Sequence, residues 1–158
     1  MKVDKIEFGR NQEVLVGELK KILDANKNKR IVVVGTTCTG KSTFVKQIKG
    51  VFDMDELVFP KLSKEEKDYV CQNPWTKEIG RTMVKLTKAR VRVEEGKPVF
   101  GTILLDSDLV IELKISDNLL RKRTASRNVD FEDAKNMQRQ IEGEIKKSKI
   151  PAIEFNVG

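Results

Sequence analysis

The run Ile31-Val32-Val33-Val34-Gly35-Thr36-Thr37-Cys38-Thr39-Gly40-Lys41-Ser42 sets the architecture. Four β-branched apolar residues in a row predict a short strand buried on both faces. A glycine turn follows, then a helix with Phe44, Val45 and Ile48 at inward spacing. Gly35 to Ser42 fits G-x-x-x-x-G-K-[ST] in full, in the strand–turn–helix context that pattern requires. Backbone N–H groups in such a turn wrap a phosphate, and glycine permits the chain path at both ends. The helix start adds its positive end. Gly35, Thr36, Thr37, Cys38, Thr39, Gly40, Lys41, Ser42 and Thr43 are therefore candidate nucleotide-binding residues. Lys41 would reach the β- and γ-phosphates, and the Ser42 hydroxyl would bind Mg²⁺.

Outward from this centre, strands and helices alternate. Residues 1–29 form a preface. Ile6 and Phe8 alternate with charge as a strand does, and Asn11 is placed to cap a helix with the stripe Leu15, Leu19, Ile22 and Leu23. Downstream, 51–55 read as a second strand. Ser63 and Glu66 form a capping box for a helix near 64–72. Thr76 opens a longer helix carrying Ile79, Met83, Leu86, Arg90 and Val93, which Gly96 ends. Strands are expected at 98–102, 109–115 and 152–157. Ser116 and Asp130 cap the two helices between the last pair. The pattern predicts an α/β domain with a mainly parallel sheet of about five strands and helices on both faces. The link between the third and fourth strands is the uncertain element. Ile103 to Asp108 reach roughly 20 Å at full extension, so either that link is stretched or 98–115 fold as an antiparallel hairpin with Asp106 and Ser107 at its tip.

Composition narrows the chemistry. The 158 residues suit one domain, with 39% apolar and 35% charged residues. No apolar run approaches the roughly 20 residues that cross a bilayer, and no signal-like segment opens the chain. Two cysteines, Cys38 and Cys71, do not build a disulfide framework, so a reducing, cytoplasmic setting is expected. Histidine is absent, which excludes a Ser-His-Asp triad, a histidine base and histidine-ligated zinc. The net charge of +7 suits a phosphate-bearing partner, nucleotide or nucleic acid, although ordinary solubility explains most of the lysines equally well. No aromatic-interleaved basic stripe favours nucleic acid.

Beyond the loop, five features carry candidate chemistry. Asp53 and Asp55 end the second strand, where alternation would send both carboxylates to one side. Ligands of such sheets gather at that end. Arg123 and Arg127 share a helix face, one suited to stacking on a base and the other to offsetting charge on a phosphoryl group. Asp106 ends an apolar run and competes with Asp53 for a role at magnesium. Arg81 is a candidate for binding an anionic substrate group, and Tyr69 and Trp75 for lining a pocket, with surface charge and core packing as the plain alternatives. Cys38, inside the loop, is a candidate for oxidation.

Taken in order, these motifs resemble the small P-loop kinases over residues 30–158. The group includes adenylate-type nucleotide kinases, shikimate and gluconate kinases and dephospho-coenzyme A kinase. V-F-D-M-D-E-L is similar to the D-x-D strand of shikimate and dephospho-coenzyme A kinases, and D-L-V-I-E-L-K-I-S-D-N-L-L-R-K-R-T-A-S-R to the fourth strand and lid helix of the group. Gln140 with Ile153 to Gly158 looks like the dephospho-coenzyme A kinase tail. The chain departs from it at Ile150-Pro151, and residues 1–29 have no counterpart.

The resemblance implies a three-layer P-loop NTPase fold in one domain over 1–158. Residues 1–29 would be an extension, 56–95 the acceptor-binding region and 116–130 a short lid. It implies Mg²⁺ and ATP as cofactors and a small hydroxyl- or phosphate-bearing acceptor. The catalytic residues would be Lys41, Asp55 and Arg127, with Arg123 at the adenine and Ser42 and Asp53 at the metal. An ATP-binding regulatory module docking through 1–29, and a nucleic-acid 5′-hydroxyl kinase, are the alternatives. A GTPase is disfavoured because neither N-K-x-D nor a D-x-x-G switch follows the loop.

Overall fold

The four residues Ile31–Val34 form β1, the middle strand of a five-stranded sheet, and all four are buried. In a computed structural model of the chain, the backbone of residues 2–158 is described, with side chains from Gln12 onward. The strand expected at Ile6 and Phe8 is helix instead, and the helix begins at Lys2, well before the cap expected at Asn11. The remaining strands are β2 (Phe52–Asp53), β3 (Val99–Gly101), β4 (Leu109–Lys114) and β5 (Ala152–Asn156). Their order is β2-β3-β1-β4-β5, and every pairing is parallel. Val34 lies opposite Gly101 on one side and Glu112 on the other, so the carboxyl ends of β1 and β3 meet where the Gly35–Ser42 loop begins.

Helices cover both faces because β1 is apolar on both. Ile31 and Val33 pack with Leu19 and Leu23 of α1 (Lys2–Ala25), with Phe44 of α2 (Lys41–Gln47) and with Leu120 of α6 (Asp117–Ser126). Val32 and Val34 face the other way. They meet Met54 and Val58 of α3 (Met54–Val58), Ile79 and Met83 of α5 (Lys77–Arg90), and Ile141 and Ile145 of α7 (Phe131–Ser148). The stripe read in the preface is thus core: Leu19 and Leu23 are buried against the sheet, with Leu15 and Ile22 beside them. Among the described residues, no helix is long and apolar enough to cross a membrane.

The capping residues stand where the sequence places them. Ser63 and Glu66 make both halves of the capping box on α4 (Lys64–Val70), and Thr76, Ser116 and Asp130 each accept from a backbone N–H in the first turn of their helices. Two expectations are corrected. The long fifth helix stops at Arg90 and does not run to Gly96. Val91 and Val93 are buried while Arg92 is exposed, the two-residue period of extended chain, so the apolar spacing there belongs to a different geometry. The antiparallel hairpin is also absent: β3 and β4 each pair with β1 and never with each other.

The stretched alternative is what forms. Residues 102–108 run back past β1 without a helix and close over the second core, where Leu105 is buried and Ile103 and Leu104 pack beside it. Arg30 anchors the far end. Its carbonyl accepts from the N–H groups of Asp108 and Leu109, and its guanidinium pairs with Asp106 at 3.2 Å and Asp108 at 3.0 Å.

Candidate functional site

A cleft of about 210 Å³ opens at the carboxyl ends of β1, β2 and β3. Its walls are Thr37, Cys38, Gly40, Lys41 and Ser42 of the loop, Asp53 and Asp55 after β2, Phe100, Gly101 and Thr102 at the end of β3, and Arg127 at the end of α6. Three of the four segments that meet here were legible as loop, acid pair and arginine. The Phe100–Thr102 segment was missed as site, although its position at a strand's carboxyl end is the signal that finds it.

The loop is held by its own side chains. The Thr36 hydroxyl donates to the Ala134 carbonyl and the Thr39 hydroxyl to the Thr36 carbonyl at 2.9 Å. Gly35 N–H donates to the Gly101 carbonyl at 3.3 Å, tying the loop's first residue to β3. Gly40 sits at φ +94°, a left-handed conformation that favours glycine, and from there the chain enters α2. Cys38 is also left-handed, at φ +68°, with its side chain buried. Gly35, Thr36, Thr39 and Thr43 do not line the cleft; the first three shape the loop, and Thr43 N–H closes the first turn onto the Gly40 carbonyl at 3.1 Å.

Lys41 lies back on this loop. Its ammonium donates to the Gly35 carbonyl at 2.7 Å, the Thr36 carbonyl at 2.6 Å and the Thr39 hydroxyl at 3.1 Å. Burial pulls its pKa down to about 8. Cys38 and the two acids, Asp53 and Asp55, oppose that fall, and Arg127 adds to it. Burial raises the Asp55 pKa, and the nearby Asp53 carboxylate raises it further.

The acid pair is assembled differently from the expectation. β2 ends at Asp53, and Met54 already begins α3. Asp53 is the N-cap, accepting the Asp55 N–H at 2.8 Å. Both carboxylates reach the cleft because one caps the first helical turn and the other stands in it, and strand alternation has no part in it. The short β2 reflects Asp-x-Asp, a sequence that satisfies helix N–H groups better than it extends a ladder.

Arg123 and Arg127 are separated. Arg127 lines the cleft. Arg123 turns behind the loop, where it donates to the Cys38 carbonyl at 3.1 Å, and burial lowers its pKa. It borders a second pocket of about 20 Å³, walled by Gln12, Leu15 and Val16 of α1 and by Gly40 and Thr43. Of the residues lining that pocket only Gly40 also lines the cleft.

Other candidates fall away from the cleft. Asp106 pairs with Arg30, the residue before β1, and so sits at the amino end of that strand. Of the two acids considered for magnesium, only Asp53 lines the cleft with Ser42. Arg81 is exposed. Tyr69 packs against the second core. Trp75 is exposed, with its indole N–H on the Val70 carbonyl at 2.9 Å. None of the three lines the cleft.

No protein-family model matches the chain, and a search of curated proteins gives no match.

Proposed function

We propose that the chain is a Mg²⁺- and ATP-dependent phosphotransferase of the small P-loop kinase type, acting on a small hydroxyl- or phosphate-bearing acceptor. The observation that carries this reading is the meeting of Lys41, Asp55 and Arg127 in one cleft beside the Gly35–Ser42 loop. The strand order is compatible with it, since β1, which carries the loop, lies between β3 and β4 in an all-parallel sheet.

The residues divide the work by charge and position. The loop's backbone N–H groups and Lys41 hold the β- and γ-phosphates. To do so, the Lys41 ammonium exchanges the Gly35 and Thr36 carbonyls for phosphate oxygens. Arg127 offsets charge that develops on the transferred group. Asp55 orients the acceptor and takes its proton, a role its raised pKa suits. Catalysis by such a site is mainly positioning and charge stabilisation.

The cleft fits a magnesium ion arriving on the nucleotide. The Ser42 hydroxyl and Asp53 carboxylate are both on its wall and are the oxygen ligands a hard dication accepts. Among the described residues no group of three or more Asp, Glu, Cys or His that could hold a metal assembles, in this cleft or outside it; phosphate oxygens and water would complete the shell of an ion held here. When bound, the ion supplies charge neutralisation between the phosphates.

In the regulatory-module reading residues 1–29 dock a partner; Leu19 and Leu23, buried in the core, are not available for that contact. The test is calorimetry with Mg²⁺-ATP followed by ADP release in the presence of candidate acceptors. Binding and acceptor-dependent release that vanish together in a folded Lys41→Ala variant support the reading. Unchanged turnover in that variant ends it.

A further inference from the structure

The cleft is polarised along the sheet. Its cations come from the β1 loop (Lys41) and from the helix after β4 (Arg127), while its carboxylates come from the segment after β2 (Asp53 and Asp55). Between them, under the acids, lie Phe100, Gly101 and Thr102, which carry no charge. The phosphate-holding half is thus basic and the opposite half acidic. Residues 56–95 contribute no cation to this acidic half. Lys61 donates to the Arg90 carbonyl at 2.8 Å, Arg90 forms an ion pair with Glu66, and Arg81 does not reach the cleft wall.

Resting on the phosphotransferase reading above, we infer that the acceptor is a neutral alcohol, with no phosphate or carboxylate next to the hydroxyl that reacts. A negative group placed beside Asp55 would meet like charge at short range, because Lys41, Arg127 and the metal ion at Asp53 are taken up by the nucleotide phosphates. An uncharged hydroxyl is the group this half of the cleft accommodates. It can donate to Asp55, while the Thr102 side chain at the end of β3 offers a neutral hydrogen-bonding group. In the step itself the acceptor oxygen bonds to the γ-phosphorus and Asp55 takes the hydroxyl proton. The bond from that phosphorus to the β–γ bridging oxygen breaks, and its electron pair leaves with ADP. This acceptor differs from the carboxylate-bearing compounds for which shikimate and gluconate kinases are named, and from the nucleoside monophosphates of adenylate-type enzymes.

The test is a two-stage calorimetric titration of the full chain. The protein is first loaded with Mg²⁺ and the non-hydrolysable analogue AMP-PNP, which fills the basic half. It is then titrated with inorganic phosphate and, separately, with AMP. The expected result is no uptake of either anion up to about 10 mM. The single variant Asp55→Asn leaves the Asp53 cap and magnesium ligand in place. Loaded in the same way, it should take up phosphate about tenfold or more tightly than the unsubstituted chain. Submillimolar uptake of AMP or phosphate by the loaded, unsubstituted protein overturns the inference and leaves the phosphotransferase reading standing. No gain in Asp55→Asn overturns it as well. Failure of AMP-PNP to bind in the first stage overturns both.

Discussion

The Asp53 carboxylate accepts the backbone N–H of Asp55 at 2.8 Å, so the residue that closes β2 also caps the helix carrying the second acid. One side chain therefore fixes the fold locally and sets the distance between the two carboxylates of the cleft.

Replacing Asp53 separates these two jobs. Asp53→Asn retains the cap, and Asp53→Ala should cost about 1 kcal/mol of stability. Urea denaturation of the three proteins reads this. Mg²⁺-dependent ATP binding should fall in both variants, since both lose the carboxylate. Equal stability of the Ala and Asn variants would remove the capping role.

Lys41 predicts a pH dependence of opposite sign for binding and for folding. Its pKa in the free protein is about 8, below the ordinary lysine value, because burial disfavours the charge. A bound polyphosphate favours the charged form, so nucleotide binding above pH 8 must draw in a proton. Affinity should be level below pH 8 and then fall, by at most about tenfold per pH unit. Folding stability without nucleotide should instead rise between about 8 and the unfolded lysine value of about 10.4, where the unfolded chain holds a proton that the folded chain has shed. Calorimetry in buffers of different ionisation enthalpy measures the proton uptake. Lys41→Met should abolish both trends and weaken nucleotide binding about a hundredfold.

The sheet and the loop were legible because each is written locally. A four-residue β-branched run has one reading next to G-x-x-x-x-G-K-S, and Ser63, Thr76, Ser116 and Asp130 announce helix starts by side chains that serve only the next three residues. What depends on long-range geometry was not legible. The destination of Asp106 is decided by Arg30, 76 residues earlier in the chain. The parting of Arg123 from Arg127 is decided by the Cys38 carbonyl, 85 residues away from Arg123. The Asp53–Asp55 pair was placed correctly and for the wrong reason, since a strand end and a capped helical turn both bring i and i+2 acids to one cleft.

Glu66 predicts an acid-sensitive tie between α4 and α5. It is hydrogen-bonded to Arg90, with Nη2 to Oε2 at 2.8 Å, and accepts the Ser63 N–H at 2.8 Å. The Arg90 bond first, and then the Ser63 N–H, lower its pKa to about 2. A depressed carboxylate stabilises the fold above its unfolded pKa of about 4.3 and loses that contribution as pH falls toward 2. Denaturation midpoints measured from pH 5 to pH 2 should therefore drop more steeply for the natural chain than for Glu66→Gln. Gln keeps the capping box and lacks the titrating group. Parallel curves would show that the pair does not titrate in this window.

Gly101 links core packing to the cleft. A Cβ built there would lie 2.7 Å from Met54 Cε and 2.8 Å from both Met54 Cβ and Sδ. The Met54 thioether can rotate, but its Cβ is fixed to the first turn of α3, so Gly101→Ala must push β3 and α3 apart. Overpacking of this kind costs about 1–3 kcal/mol. The displaced turn carries Asp55 and is capped by Asp53, and the Gly101 carbonyl also accepts the Gly35 N–H of the loop. The variant should therefore lose thermal stability and bind Mg²⁺-ATP more weakly. Its acceptor-dependent ADP release should fall much further than its binding. Trimming the partner with Met54→Ala in the Gly101→Ala background removes the sulfur and terminal methyl and should return part of the lost turnover, because the remaining Cβ contact needs a smaller shift. A Gly101→Ala protein with undiminished stability would mean that α3 is free to move away from the sheet, and that the acid pair is not held by this contact.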